Sequence, residues 1–168
     1  MTTFPLRRLR LRSGDEHREP VAIALEPFEL GGERYLPVPA DADAVLEIQR
    51  GTSGDMFRLA FATRLHGPCM RCLRDAFVDI AVDAREYHAL GEDAPDELRS
   101  EYVVDEGLQL SQWARDAIAT ALPAQVLCRS DCAGLCPVCG KDLNEEPHAH
   151  EEEVADPRWA ALEALREE

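Results

Sequence analysis

Six cysteines and two late histidines fall into four close pairs: Cys69-x-x-Cys72, Cys128-x-x-x-Cys132, Cys136-x-x-Cys139 and His148-x-His150. These eight side chains suffice for two complete four-coordinate metal sites. Zn²⁺ has no redox chemistry, takes four N or S ligands in a tetrahedron, and is well served by pairs that deliver two ligands from one tight turn. Two pairs close a site, so this chain reads as a domain stapled by bound metal.

Charge narrows the partners. The 168 residues carry a net charge of −15, unevenly spread: residues 1–74 hold 11 Arg/Lys against 10 Asp/Glu, and residues 75–168 hold 7 against 23. Bulk phosphate binding by the second half is disfavoured, because like charges repel. An acidic half suits a basic protein partner, or simply solubility. No apolar run approaches the roughly 20 residues needed to cross a bilayer, so no membrane role is expected. The N-terminus has arginines but neither an apolar core segment nor a small-residue cleavage site, which argues against a secretory signal. The expected compartment is the cytoplasm, where thiols stay reduced and paired cysteines favour metal over disulfides.

The first ninety residues read as antiparallel strands. Arg8-Leu9-Arg10-Leu11-Arg12 alternates with period two, as a half-exposed strand does. Val21, Ile23 and Leu25 alternate again, followed by Phe28 and Leu30, and Gly31-Gly32 turns the chain into Tyr35–Val38. Val45, Leu46 and Ile48 form a further strand that Gly51–Asp55 breaks. A longer strand over Met56–His66 is paired with one running from Phe77 through Ile80 and Val82 to Tyr87, so Cys69 and Cys72 sit at a hairpin tip. Residues 91–100 are an acidic surface loop. Leu110, Trp113, Ala114, Ala117, Ile118, Ala121 and Leu122 then recur at helical spacing, and Pro123 stops that helix. Asp156-Pro157 places an N-cap and a first helical residue before Trp159, Leu162 and Leu165. The expected fold class is α+β: an antiparallel β-sheet packed by one long helix, with zinc-knuckle loops and a short C-terminal helix. Residues 1–125 form the sheet and helix core carrying the first cysteine pair, and residues 126–168 form the metal-binding tail.

Among the ligand pairs, Cys136-Pro-Val-Cys139-Gly140 is a zinc-knuckle sequence, whose glycine lets backbone N–H groups turn toward thiolate sulfur. The nearest closure joins Cys136 and Cys139 to His148 and His150. Cys69, Cys72, Cys128 and Cys132 remain for a Cys₄ site, a long-range staple between the hairpin tip and the segment after the helix. The expectation is one zinc ion, with ligands enough for a second; of the two sets the local one is the weaker. The Cys₄ set would hold a negative cluster, for which Arg64, Arg71, Arg74 and Arg129 make an electrostatically sensible surround. Catalytic zinc usually leaves one position open for water, whereas both sets can be filled by protein, so no enzyme is expected and no small-molecule substrate. Other readings stay open. Either Cys-x-x-Cys pair alone fits a redox couple, the late histidines fit free surface residues, and four thiolates fit iron as well as zinc. Sequences for a nucleophile–base pair or a phosphate-cradling loop are missing. The arginine comb Arg8, Arg10 and Arg12 fits either an RNA phosphate contact or an edge strand protected by charge.

At these residues the chain resembles a known family. Cys69-Met-Arg71-Cys72-Leu73, the helix end Ala121-Leu122-Pro123, Cys128 through Cys139-Gly140-Lys-Asp-Leu143-Asn144, and Asp156-Pro157-Arg158 are together similar to the YceD-like proteins, also called large ribosomal RNA subunit accumulation proteins. The resemblance covers roughly residues 60–165. In that family the tail commonly ends in Cys-x-Cys, where this chain has His148-x-His150. The resemblance implies a role in the accumulation or processing of large-subunit ribosomal RNA, with a large-subunit ribosomal protein or precursor ribosomal RNA as partner. Two other classes remain: a zinc-stapled interaction or regulatory module without a ribosomal role, and a metal-dependent RNA-processing hydrolase.

Overall fold

The computed structural model describes residues 1–91 and 93–150. Its strands are Thr3–Pro5 (β1), Glu16–Ala24 (β2), Phe28–Leu30 (β3), Glu33–Pro37 (β4), Asp41–Arg50 (β5), Gly54–Pro68 (β6), Asp75–Ala89 (β7), Val103–Val104 (β8) and Gly107–Gln109 (β9), followed by the helix Leu110–Ala121 (α1). Along β5 and β6 the apolar residues alternate: Ala42, Ala44, Leu46 and Ile48 point one way, as do Phe57, Leu59, Phe61 and Leu65, and all are buried. A period of two puts them on one face, and that face is the floor of the core.

β6 organises the main sheet. One of its edges pairs antiparallel with β5 over Asp55–Phe61 and with β4 at Leu65 and His66. Its other edge pairs with β7 along the whole length, from Gly54 opposite Ala89 to Pro68 opposite Asp75. β2 forms the far edge on β5. It begins at Glu16, earlier than the apolar pattern suggests, and an edge position accommodates Pro20, which lacks an N–H to donate. α1 crosses the inner face between β7 and β2, burying Leu110, Trp113, Ala114 and Ile118 in the same core. Each large apolar side chain buried there stabilises by about 1.5–3 kcal/mol. The helix stops because Leu122, at φ −62° and ψ 138°, precedes Pro123, whose ring disfavours the helical region for its predecessor.

Three expectations need correction. The helix is not long: it has 12 residues, a little over three turns, and the fold is mostly antiparallel sheet. The arginine comb is not a strand. Leu6–Arg8 forms a 3-10 turn and residues 9–12 join no ladder. Leu9 and Leu11 still face the core while Arg8, Arg10 and Arg12 stay exposed, so the alternation records which way side chains face without recording a partner. The N-terminal strand lies earlier, where β1 pairs with β9 and β9 with β8 in a small second sheet. Arg64 does not surround the Cys₄ set. It lies on the outer face of β6 and forks onto Asp79 at 2.6 and 3.0 Å. The C-terminal helix expected from Asp156 onward lies outside the described residues. Among the described residues, no helix is long and apolar enough to cross a membrane.

Candidate metal centre

The β6–β7 hairpin ends in a turn that a second stretch of the chain repeats. In Cys69–Arg74, the Cys69 N–H donates to the Arg74 carbonyl at 2.7 Å and the Leu73 N–H to the Cys69 carbonyl at 3.0 Å. In Cys136–Lys141, the Cys136 N–H donates to the Lys141 carbonyl at 2.8 Å and the Gly140 N–H to the Cys136 carbonyl at 2.8 Å. The fifth residue is left-handed in both: Leu73 at φ 62° and Gly140 at φ 72°. Sequence reasoning found the second knuckle through its glycine. The first has the same geometry with leucine in the position, so only the cysteine spacing announces it.

The shared turn aims backbone N–H groups at the first sulfur. The Arg71 N–H lies 3.5 Å from the Cys69 Sγ. Burial pushes the Cys69 thiol up, but hydrogen bonds from the Cys72, Arg71 and Cys128 backbones outweigh it and bring it down to about 6. At Cys136 the backbone N–H groups of Cys139 and Val138 prevail over burial, again to about 6. A turn that stabilises thiolate before any cation arrives is suited to metal capture, because the thiolate is the ligand.

Two sets of four ligands converge. In each of the sets Cys69, Cys72, Cys128, Cys132 and Cys136, Cys139, His148, His150, all ligand atoms lie within 4.8 Å of one another. The Sγ–Sγ separations are 3.8 Å for Cys69–Cys132 and 3.6 Å for Cys72–Cys128. Four sulfurs around a tetrahedral zinc, with bonds of ~2.3 Å, stand about 3.8 Å apart, so the donor set fits zinc. Burial and the crowding of like thiols push Cys128 up to about 12, the response of a thiol cluster that a cation would relieve. In the local set, the Cys139 Sγ and His148 Nε2 are 3.1 Å apart, against about 3.6 Å for an ideal tetrahedron with sulfur and nitrogen ligands. The His148 Nδ1–H donates to the Glu146 carbonyl at 2.6 Å, which leaves Nε2 as the free donor facing the sulfur. The structure thus brings together all eight residues expected from sequence, in the expected two groups. The Cys₄ set is largely buried, with Cys128 at its exposed side, and the local set is largely exposed.

The two sets interlock. The Leu135 N–H donates to the Arg71 carbonyl at 3.0 Å, and the Arg71 guanidinium donates to the Cys132 carbonyl at 2.9 Å and to Gln125. Gly134 makes this approach feasible. Its φ is +81°, and a Cβ there would meet the Arg71 carbonyl oxygen at 3.1 Å. The Arg74 guanidinium grips Asp142, 2.8 Å from Nε, and together with hydrogen bonds from Asn144 holds that carboxyl down to about 2. Asn144 was not singled out from sequence as a supporting residue. Its amide Nδ2–H donates to the Cys132 Sγ at 3.6 Å, and its Oδ1 accepts from the Ala133 N–H and from Arg129, both at 2.8 Å. Asp142-Leu143-Asn144 directly after the knuckle was the signal available, since such side chains order turns by bonding nearby backbone.

Comparisons with known proteins converge on the same stretch of chain. The model of the family described as "Large ribosomal RNA subunit accumulation protein YceD" matches residues 57–166, which include β6 from Phe57 onward, β7, α1 and all eight candidate ligands. An uncharacterized protein of Mycobacterium bovis is 34% identical over 170 residues, covering 95% of this chain and 79% of its own length. An uncharacterized protein of Mycobacterium tuberculosis matches to the same extent, 34% over 170 residues. One of Mycobacterium leprae is 37% identical over 98 residues, 56% of this chain and 45% of its own. No solved structure matches the chain.

Proposed function

Since the chain belongs to the YceD family of large ribosomal RNA subunit accumulation proteins, we propose that it is a non-enzymatic zinc-stapled factor in biogenesis of the large ribosomal subunit. It serves the accumulation or processing of large-subunit ribosomal RNA through contact with a ribosomal protein or with precursor ribosomal RNA. The observation that carries this reading is the coincidence of the family match with the interlocked ligand sets. The matched stretch is the hairpin, the helix and the metal centre, so the staple belongs to the part that defines the family.

A structural role for the metal is supported by the donor count. Each set offers four protein ligands, whereas catalytic zinc typically keeps one position for water. In the Cys₄ set, Cys69 and Cys72 come from the hairpin tip, and Cys128 and Cys132 from the segment after α1, 56 and 63 residues away along the chain. Binding there would tie tertiary structure together, and structural zinc in small motifs supplies about 10–16 kcal/mol of apparent binding free energy at neutral pH. The six cysteines are grouped as ligand sets rather than as disulfide partners, which suits a reducing compartment such as the cytoplasm. The acidic second half of the chain suits a basic ribosomal protein better than naked RNA. The test is deletion of the gene followed by gradient profiling of ribosomal particles. A deficit of large subunits, restored by the wild-type chain but not by the double substitution Cys72→Ser/Cys128→Ser, is expected. An unaltered profile in the deletion strain would refute the reading.

A further inference from the structure

β7 has one paired edge and one open one. Its pairing runs along β6 only, and among the described residues no other strand joins it. Its 15 residues contain no proline or glycine, the residues that commonly blunt an exposed edge. Its edge charges are largely satisfied within the sheet: Asp75 pairs with His66, Asp79 with Arg64 and Asp83 with Arg58.

A groove of about 430 Å³ runs between this edge and α1. Six consecutive β7 residues, Ala81 to Glu86, line one wall. A sheet face would contribute every second residue, so the wall is the strand's backbone edge. The opposite wall is one row of the helix, through Trp113, Asp116, Ala117, Thr120 and Ala121, positions three and four apart that share a face. Trp113 stacks on Tyr102 at 6.1 Å between ring centres and closes the floor. The strand wall spans ~20 Å and the facing row of the helix, from Trp113 to Ala121, about 13 Å. The groove carries three carboxylates, Asp83, Glu86 and Asp116, against one cation, Arg85. Asp83 is spent on Arg58 at 2.8 and 2.9 Å. That leaves Glu86 and Asp116, the latter accepting the Tyr102 hydroxyl at 3.1 Å, as the groove's carboxylates without a cationic partner among the described residues, beside small apolar side chains.

We propose that an extended, basic polypeptide segment of about six residues docks here by adding a strand to the free edge of β7, beneath α1. Backbone hydrogen bonds to Ala81–Glu86 supply register and affinity, small or β-branched side chains fit between the alanines, and Lys or Arg side chains meet Glu86 and Asp116. Antiparallel pairing of two β7 edges about Asp83 would set two carboxylates opposite each other, and pairing of two copies in any other register is read by the dimerisation outcome of the test. The choice of a basic partner rests on the ribosomal reading, whereas the location and pairing mode rest on the groove alone.

The test uses the full, metal-loaded chain, labelled with ¹⁵N, and the probe peptide acetyl-KVKTKVKTKV-amide. Expected are saturable shifts and slowed amide exchange confined to residues 81–86, with a shift of the Trp113 indole N–H. A peptide with proline in place of each threonine keeps the charge but cannot pair as a strand, and it should not bind. Glu86→Lys and Asp116→Lys should each weaken binding about tenfold. Glu29→Lys, on β3 at the far side of the sheet, should leave binding unchanged. No saturable binding, equal binding of the proline peptide, or shifts centred away from both 81–86 and the facing row of α1 would overturn the proposal. So would protection of 81–86 in the free protein accompanied by concentration-dependent dimerisation, which would assign the edge to a second copy. Peptide binding together with a normal ribosomal profile in the deletion strain would retain the groove and discard only the ribosomal role.

Discussion

Replacing Asn144 with alanine should lower zinc affinity without touching a ligand. Its Nδ2–H donates to the Cys132 sulfur and its Oδ1 holds the Ala133 N–H and the Arg129 side chain. Four thiolates on one Zn²⁺ leave a net charge of about −2, so each N–H aimed at a sulfur disperses charge that the buried set cannot pass to water. Loss of such an outer contact typically costs 10–100-fold in metal affinity. The 3.6 Å approach is long even for sulfur, which places the expected loss for Asn144→Ala nearer 10-fold, or about 1.4 kcal/mol. Asn144→Asp is the sharper comparison. It keeps the acceptor toward Ala133 but loses the donor, and it sets a carboxylate against Asp142, whose Oδ1 now lies 2.6 Å from the Asn144 amide nitrogen. It should therefore bind zinc more weakly than Asn144→Ala. Chelator competition measures the affinities, and cobalt in place of zinc distinguishes the all-sulfur set from the mixed one by its absorption spectrum. Wild-type affinity in both variants would refute the claim that Asn144 stabilises the sulfur cluster.

Other substitutions probe the frame that carries the candidate metal centre. Leu73→Gly should stabilise the chain by up to about 1 kcal/mol in chemical denaturation, because leucine at φ 62° carries a left-handed strain of ~1–2 kcal/mol and its side chain is largely exposed. Gly134→Ala should do the opposite, losing about 1–2 kcal/mol, since its φ of +81° is strained for alanine and the added Cβ crowds Arg71; calorimetry reads the loss. Ile118→Ala, at a fully buried position under the sheet, should cost about 2–5 kcal/mol in the same measurement. Burial, reinforced by Arg99, lowers the His88 pKa, and its Nδ1 accepts the Ser100 N–H at 3.2 Å. A folded-state value below the ordinary ~6.5 means the stabilisation is complete above that pH and is lost as pH falls through the lowered value. Hydrogen exchange at Ser100, corrected for intrinsic rate, should therefore accelerate on acidification, and a flat profile would contradict this.

Legibility in the sequence followed the range of the physics. The β6–β7 hairpin and the β3–β4 turn at Gly31-Gly32 could be read because their signals are local: alternation on either side of a turn. The pairing of ligands could be read because it depends on counting donors and closing the nearest set. What escaped was set by partners distant in sequence. β1 and β9 are three-residue strands more than a hundred residues apart, too short to show any period. Phe77 was grouped with Ile80 and Val82, yet it has the opposite parity along β7 and stacks on His66 at 4.6 Å on the outer face. The comb at Arg8, Arg10 and Arg12 alternates because its leucines face the core, and alternation carries no information on whether a neighbouring strand exists. Arg64, close in sequence to Cys69, was assigned to the metal centre by proximity, but strand parity turns it to the opposite face, where Asp79 takes it. Leu73 hid a knuckle because the glycine that usually marks such a turn is replaced by a strained leucine.

The central claim, that bound metal locks the hairpin tip to the segment after the helix, is tested most directly by native mass spectrometry of protein purified from zinc-replete cells, with thiol alkylation before and after chelation. Zinc should be bound, with Cys69, Cys72, Cys128 and Cys132 protected until the chelator is added, and residues 126–144 should gain hydrogen exchange on its removal. A metal-free protein that is equally compact, with the same melting temperature in the presence and absence of chelator, would contradict the account.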